Sequence, residues 1–217
     1  LGRSDVPERT RAFAAYALGM IGRQSTEPAQ IQEVRNALFG AFVREKDRKS
    51  SVLHACVLSM GVLQLKDPTS ITTDLFSIAV DETETDELRS HAINAGSRLL
   101  KGNSGSLSQD MAEYCLDLLD QRRTPKSMQQ SSIQALGLLA VGGSSYEEDA
   151  VASLILTAKK AKDRYQRSLA LISLGQWGVE TTPLSRPRAT IEDALVERLR
   201  KAQTHQKGWA ALSLGIF

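Results

Sequence analysis

The sequence predicts an all-α fold: a right-handed α-α superhelix of about six helical hairpin units, about eleven helices in all, with no sheet. Three observations carry this. One segment type recurs six times at a spacing near forty residues. Within those segments, small and large apolar residues fall in separate columns at helical period. Ala and Leu abound, aromatics are only 5%, and β-branched runs are scarce, a balance that favours helix over sheet.

The recurring segments are RAFAAYALG (11–19), LHACVLSMG (53–61), RSHAINAGS (89–97), QQSSIQALG (129–137), RSLALISLG (167–175) and KGWAALSLG (207–215). They end on Gly19, Gly61, Ser97, Gly137, Gly175 and Gly215, spaced by 42, 36, 40, 38 and 40 residues. Such drift suits a two-helix unit with variable loops. Five residues before this anchor stand Ala14, Cys56, Ala92, Ser132, Ala170 and Ala210; two before it stand Ala17, Ser59, Ala95, Ala135, Ser173 and Ser213. These columns and the anchor form one small-residue edge, along which a neighbouring helix can approach closely. A large stripe runs beside it. Four before the anchor stand Ala15, Val57, Ile93, Ile133, Leu171 and Ala211; one before it, Leu18, Met60, Leu136, Leu174 and Leu214, with Gly96 the exception. Two after it stand Ile21, Leu63, Leu99, Leu139, Trp177 and Phe217, which assigns Trp177 to the core.

Partner helices are expected between these segments, over 29–45, 71–80, 107–121, 147–162 and 190–203, each with apolar residues on one face. Ser106 with Gln109, Ser144 with Glu147 and Thr190 with Asp193 read as caps with reciprocal partners. Pro68, Gly102–Gly105, Pro125, Gly142–Gly143, and a long stretch with Pro183 and Pro187 read as loop breakers.

A basic residue followed by Ala-x-x-Ala-Leu-Gly is common on the second helix of HEAT units. Arg11, Ala14, Ala17, Leu18 and Gly19 follow that pattern, as do Arg167, Ala170, Leu174 and Gly175. The chain therefore resembles the HEAT-repeat (armadillo-like α-solenoid) superfamily, in particular PBS-lyase-type HEAT-like repeats. The resemblance spans residues 1–217, which are expected to form a single solenoid. It implies that the second helices line a concave face, and it leaves the role open, because the superfamily hosts many. Neither end carries the polar outer face of a capping repeat, so a piece of a longer solenoid is expected.

The residues offer little chemistry. The HEAT-fold hydroxylases hold a di-iron centre with repeated His-Glu pairs, whereas the dipeptides here are His54-Ala55, His91-Ala92 and His205-Gln206. Neither a nucleophile elbow nor a phosphate-binding glycine loop occurs. Cys56 and Cys115 lie inside apolar stripes and read as buried free thiols. No cofactor, metal or catalytic residue is expected. No segment has the run of apolar residues needed to cross a membrane. The opening Leu1 gives no address, and a soluble, cytoplasmic chain is the expectation.

The expected function is a non-catalytic scaffold that binds a protein or peptide partner on the concave face. Candidate contacts occupy second-helix positions not claimed by the small or apolar columns: Arg11, His54, Arg89, Gln130, Arg167, Lys207 and Trp209. The alternative is nucleic-acid binding, similar to the HEAT-like alkylpurine DNA glycosylases. Net charge is only +2, but residues 159–207 carry eleven Lys/Arg against five Asp/Glu. A third reading is a lyase-like protein acting on a bound cofactor or client, for which no cofactor-specific residue stands out.

Overall fold

The computed structural model describes residues 1, 5–65, 67–182 and 185–217, and Pro183 lies outside them. Its described residues form eleven helices and no strand. The helices are α1 (Glu8–Gln24), α2 (Pro28–Arg44), α3 (Ser51–Met60), α4 (Thr69–Val80), α5 (Asp86–Leu99), α6 (Ser106–Asp120), α7 (Lys126–Leu138), α8 (Glu147–Lys160), α9 (Arg164–Glu180), α10 (Arg186–Lys201) and α11 (Thr204–Ile216). The six repeated segments fall on the odd-numbered helices, and the partner helices are the even-numbered ones. The chain divides into two compact units, Leu1–Leu99 and Leu100–Phe217.

In the first unit α1 packs on α3 and α3 on α5, while α2 leans on α1 and α3, and α4 on α5. In the second, α7 packs on α9 and α9 on α11; α6, α8 and α10 back them. The small-residue edge has a direct geometric cause. A Cβ added at Gly19 would sit 2.7 Å from Ser59 Cβ, and one at Gly61 only 2.5 Å from Ala95 Cβ and 2.6 Å from its Cα. One at Gly137 would sit 2.8 Å from Ser173 Cβ, and one at Gly175 3.1 Å from Ser213 Cβ. The anchor of one repeat thus rests against the small residue, two before the anchor, of the next repeat. Neither can grow without parting the helices.

The large stripe fills what remains. Leu63, Leu139, Ile93, Ile133, Leu136, Leu171 and Leu174 are buried, and Trp177 is wholly so. Trp177 keeps its one polar atom satisfied: Nε1 donates to the Leu136 carbonyl at 2.9 Å. Its ring meets Tyr146 edge-on at 6.1 Å, and the Tyr146 hydroxyl donates to the Leu139 carbonyl at 2.9 Å. Ile21 departs from expectation. It is 47% exposed, because no described element covers that side of α1.

Polar contacts repeat the period. Glu8 accepts from the Ser51 amide and hydroxyl at 2.7 Å each, and Ser50, the cap of α3, holds the Val52 amide. Arg35 on α2 reaches Asp74 on α4 at 3.0 Å; Arg48 pairs with Glu84, Lys126 with Asp163, and Lys159 with Glu197 at 2.9 Å. The Ser173 hydroxyl donates to the Ile133 carbonyl at 2.8 Å. The hydrogen bonds among these pairs span 36 to 43 residues, one repeat.

Helix starts differ from the sequence reading. Ser106 is the first residue of α6 and Gly105 its cap; α8 opens at Glu147 with Tyr146 as its cap. Ser144 stands upstream of α8, and the Glu147 carboxylate accepts the Gly143 amide at 2.8 Å. Thr190 lies a full turn inside α10, which Ser185 caps through the Arg188 amide. Pro187 belongs to the first turn of α10, where its missing N–H costs nothing and its fixed φ favours the helix. Asp163 is a cap that the sequence reading passed over, accepting from the Tyr165 and Gln166 amides.

The anchor contact sets an expected pair of outcomes. Gly61→Ala should destabilise the protein by about 1–3 kcal/mol, because its Cβ meets backbone that cannot swing away. Gly208→Ala should stabilise it by about 0.5–1 kcal/mol, because that glycine sits inside α11 with nothing within 4 Å of an added Cβ. Urea unfolding of both variants checks this, and shifts of the same sign would refute the packing role assigned to the column.

Candidate binding surface on the second helices

The seven candidate residues lie near the start of the second helices, on α1, α3, α5, α7, α9 and α11. Their surroundings divide them into two kinds. The arginines are engaged internally. Arg11 Nη1 donates to Glu45 Oε2 at 2.7 Å, at the C-cap of α2. Arg89 Nε donates to the Ala79 carbonyl at 3.0 Å, in the last turn of α4. Arg167 Nη1 donates to the Ala161 carbonyl at 2.8 Å, the C-cap of α8. A helix C-terminus leaves carbonyls unsatisfied and carries partial negative charge, so a guanidinium there is held by hydrogen bond and dipole together. These three arginines therefore tie α1, α5 and α9 each to the end of a partner helix. For Arg89 and Arg167 the sequence holds a signal, a basic residue soon after a partner helix ends, whereas Arg11 precedes α2 in the chain.

The remaining candidates are placed differently. Gln130 and Lys207 are half-buried at the helix surface, and Trp209 is 38% exposed. Beside Gln130, Gln129 accepts from Gln166 Nε2 at 2.7 Å. His54 is half-buried, and its ring meets that of His91 edge-on with centroids 5.2 Å apart. His54 Nε2 is buried without a hydrogen-bond partner. His91 takes up a proton less readily than an ordinary imidazole, first because burial strips its water and then because His54 repels the added charge; Glu87 opposes both. The sequence reading did not bring these two histidines together; they occupy adjacent columns of successive repeats.

Other exposed apolar side chains cluster on α1 and α11. They are Phe13, Tyr16, Met20 and Ile21 on the first, and Trp209, Leu212 and Ile216 on the second. Phe13 and Trp209 share one repeat column, six before the anchor. Much of the basic C-terminal stretch is internally engaged. Glu197 gathers Lys159, Lys201 and Arg198; Arg188 donates to the Gly178 and Phe217 carbonyls and lies 4.2 Å over the Phe217 ring.

Cys56 and Cys115 are buried free thiols, each pushed up to about 12 by desolvation. Among the described residues no group of three or more His, Cys, Asp or Glu could hold a metal ion, and no helix is long and apolar enough to cross a membrane.

No protein-family model matches the chain, and no curated protein matches it. Among solved structures it is similar to the crystal structure of an engineered protein, at TM-score 0.60 and 14% identity, over 98% of this chain and 92% of that one. It also aligns with human deoxyhypusine hydroxylase in complex with glycerol, at TM-score 0.35 and 16% identity, over 98% of this chain and 81% of that one. The first likeness shows a shared fold alone. The second carries no argument at that score.

Two outcomes follow from the titrating groups. The unfolded chain binds a proton at His91 more tightly than the folded one does. The folded state therefore loses stability as pH falls through about 6.5, with no further loss from this group below its folded pKa. Thermal melts between about pH 7.5 and 5 should show a shallower acid-side fall for His91→Gln, and superimposable profiles would remove the linkage. Ellman's reagent should label neither Cys56 nor Cys115 in the native protein and both after denaturation. Rapid native labelling would contradict their burial.

Proposed function

We propose that this chain is a non-catalytic interaction scaffold of the HEAT-like class, whose repeat runs in register through residues 1–217, and that it binds a protein or peptide partner through the exposed positions of its second helices. One observation carries this. Most positions of the small and large columns of these helices are consumed by packing, and Arg11, Arg89 and Arg167 by helix ends. The column six before the anchor, buried at Ala55, Ser131 and Leu169, still presents Phe13 at 60% and Trp209 at 38% exposure. Large, stiff aromatics at a surface bury much area at little entropic cost, which is why they dominate interface energetics.

Around Trp209 the surface is well suited to a partner. Leu212 and Ile216 extend the apolar strip along α11, and Lys207 supplies a cation at its edge. His54 on α3 and Gln130 on α7, each seven before its anchor, offer polar contacts within their own units. The engagement of Arg167, Arg188, Arg198, Lys159 and Lys201 within the fold weakens the case for a phosphate-binding face.

The test is crosslinking of the full gene product to its partners in source-cell lysate, followed by mass spectrometry. A stoichiometric protein crosslinked at Lys207 is expected, with affinity falling at least tenfold in Trp209→Ala, on the order of 1.4 kcal/mol. Circular dichroism of that variant checks that the fold is intact. Recovery of nucleic acid alone, lost at high salt, would replace this reading with the nucleic-acid one.

A further inference from the structure

A second surface, on the partner helices of the Leu100–Phe217 unit, has a chemistry of its own. Between α6 and α8 runs an open groove of about 690 Å³. Its apolar part comes from Leu116 and Leu119 on α6 and from Leu156 on α8, which is 53% exposed. Glu113, Asp117 and Asp120 form a rail along α6, and Asp149, in the first turn of α8, lines the same groove. No Lys or Arg lines the groove. Glu113 accepts a hydrogen bond from Gln109 Nε2 at 2.8 Å. The described residues show no ion pair to any of the four carboxylates.

The placement of these charges runs against the stability of α6. Asp117 and Asp120 occupy its last turn, the negative end of the helix dipole, and that turn holds no basic residue. Five other helices, α1, α2, α5, α8 and α10, instead carry Lys or Arg in the last turn. Asp117 and Asp120 add nothing to the stability of the helix end they occupy, and the groove that they line sets exposed Leu156 beside half-buried Leu116 and Leu119. A cationic ligand would offset the dipole clash at that end. The rail at 113, 117 and 120 follows helical spacing, so its charges step by roughly 5–6 Å along one face.

We propose that the α6/α8 groove docks a lysine- or arginine-rich amphipathic segment of a partner protein, its cations on the Glu113–Asp117–Asp120 rail and Asp149, its aliphatic side chains against Leu116, Leu119 and Leu156. The groove's uncompensated negative charge selects a basic occupant, and its leucines select an amphipathic one over a simple polycation. This site is separate from the second-helix surface proposed above, and each can fail without the other.

A fluorescein-labelled synthetic helix with lysines at i, i+4 and i+7 and leucines on the adjoining face is the probe, read by anisotropy at low salt. Binding is expected, and should weaken at least tenfold in the Asp117→Lys/Asp149→Lys double variant. It should also weaken in Leu156→Asp, and be unchanged in Asp110→Lys, an exposed α6 position outside the groove. Asp120→Lys should weaken binding while its Tm equals or exceeds the parent's, which separates lost docking from lost folding. No binding of the lysine peptide, equal binding of its glutamate counterpart, or equal weakening by Asp110→Lys would overturn the proposal. So would sedimentation showing that the chain self-associates through this groove, since the occupant would then be a second copy.

Discussion

Four joints of this fold rest on one close approach: an anchor glycine against the Ser or Ala of the next second helix. At Gly61 and Ala95 that approach leaves no room for a methyl group. Once two helices lie this near, the side chains beside the contact must be large enough to close the space and positioned to avoid it. The apolar stripe one before, four before and two after the anchor meets that requirement. Trp177 shows the limit, filling its site completely while handing its N–H to a carbonyl of the preceding second helix. The polar pairs then fix the register that the packing has already chosen, because each spans about one repeat.

The regular part of this design is readable in the sequence. Helix positions, the separation of small from large columns and the burial of Trp177 all follow from residues that must satisfy the same contact repeatedly. Helix starts were less readable. Thr190 and Ser106 have the chemistry of a cap, but a side chain caps only if the backbone has not yet entered the helix. Pro187 starts α10 earlier than the apolar pattern does. Ile21 has the identity of a core residue and lacks a covering neighbour, a fact that no periodicity contains.

The candidate surface was legible only in outline. Sequence columns locate positions free of packing duty but not what else claims them. Arg11, Arg89 and Arg167 looked available because they share a column outside the apolar stripe, yet each reaches an acceptor at the end of a partner helix. That acceptor is a backbone carbonyl for Arg89 and Arg167, and backbone groups are invisible to a column analysis. The groove between α6 and α8 went unnoticed for a related reason. Its carboxylates lie in the less regular partner helices, and their meaning appears only when α6 and α8 line one groove.

The hydrogen bonds that cross from one repeat to the next span 36 to 43 residues. Within each unit, cohesion is therefore exchanged between adjacent hairpins, as in a stack of plates. Such a stack melts from its edges inward, and its cooperativity depends on the strength of each joint relative to the hairpin it joins. The joint between α7 and α9, with an indole and a hydroxyl both bonded to α7 carbonyls, is the one most richly bonded in the second unit. Amide exchange should be slowest there and fastest in α11, whose outer face carries exposed Leu212 and Ile216.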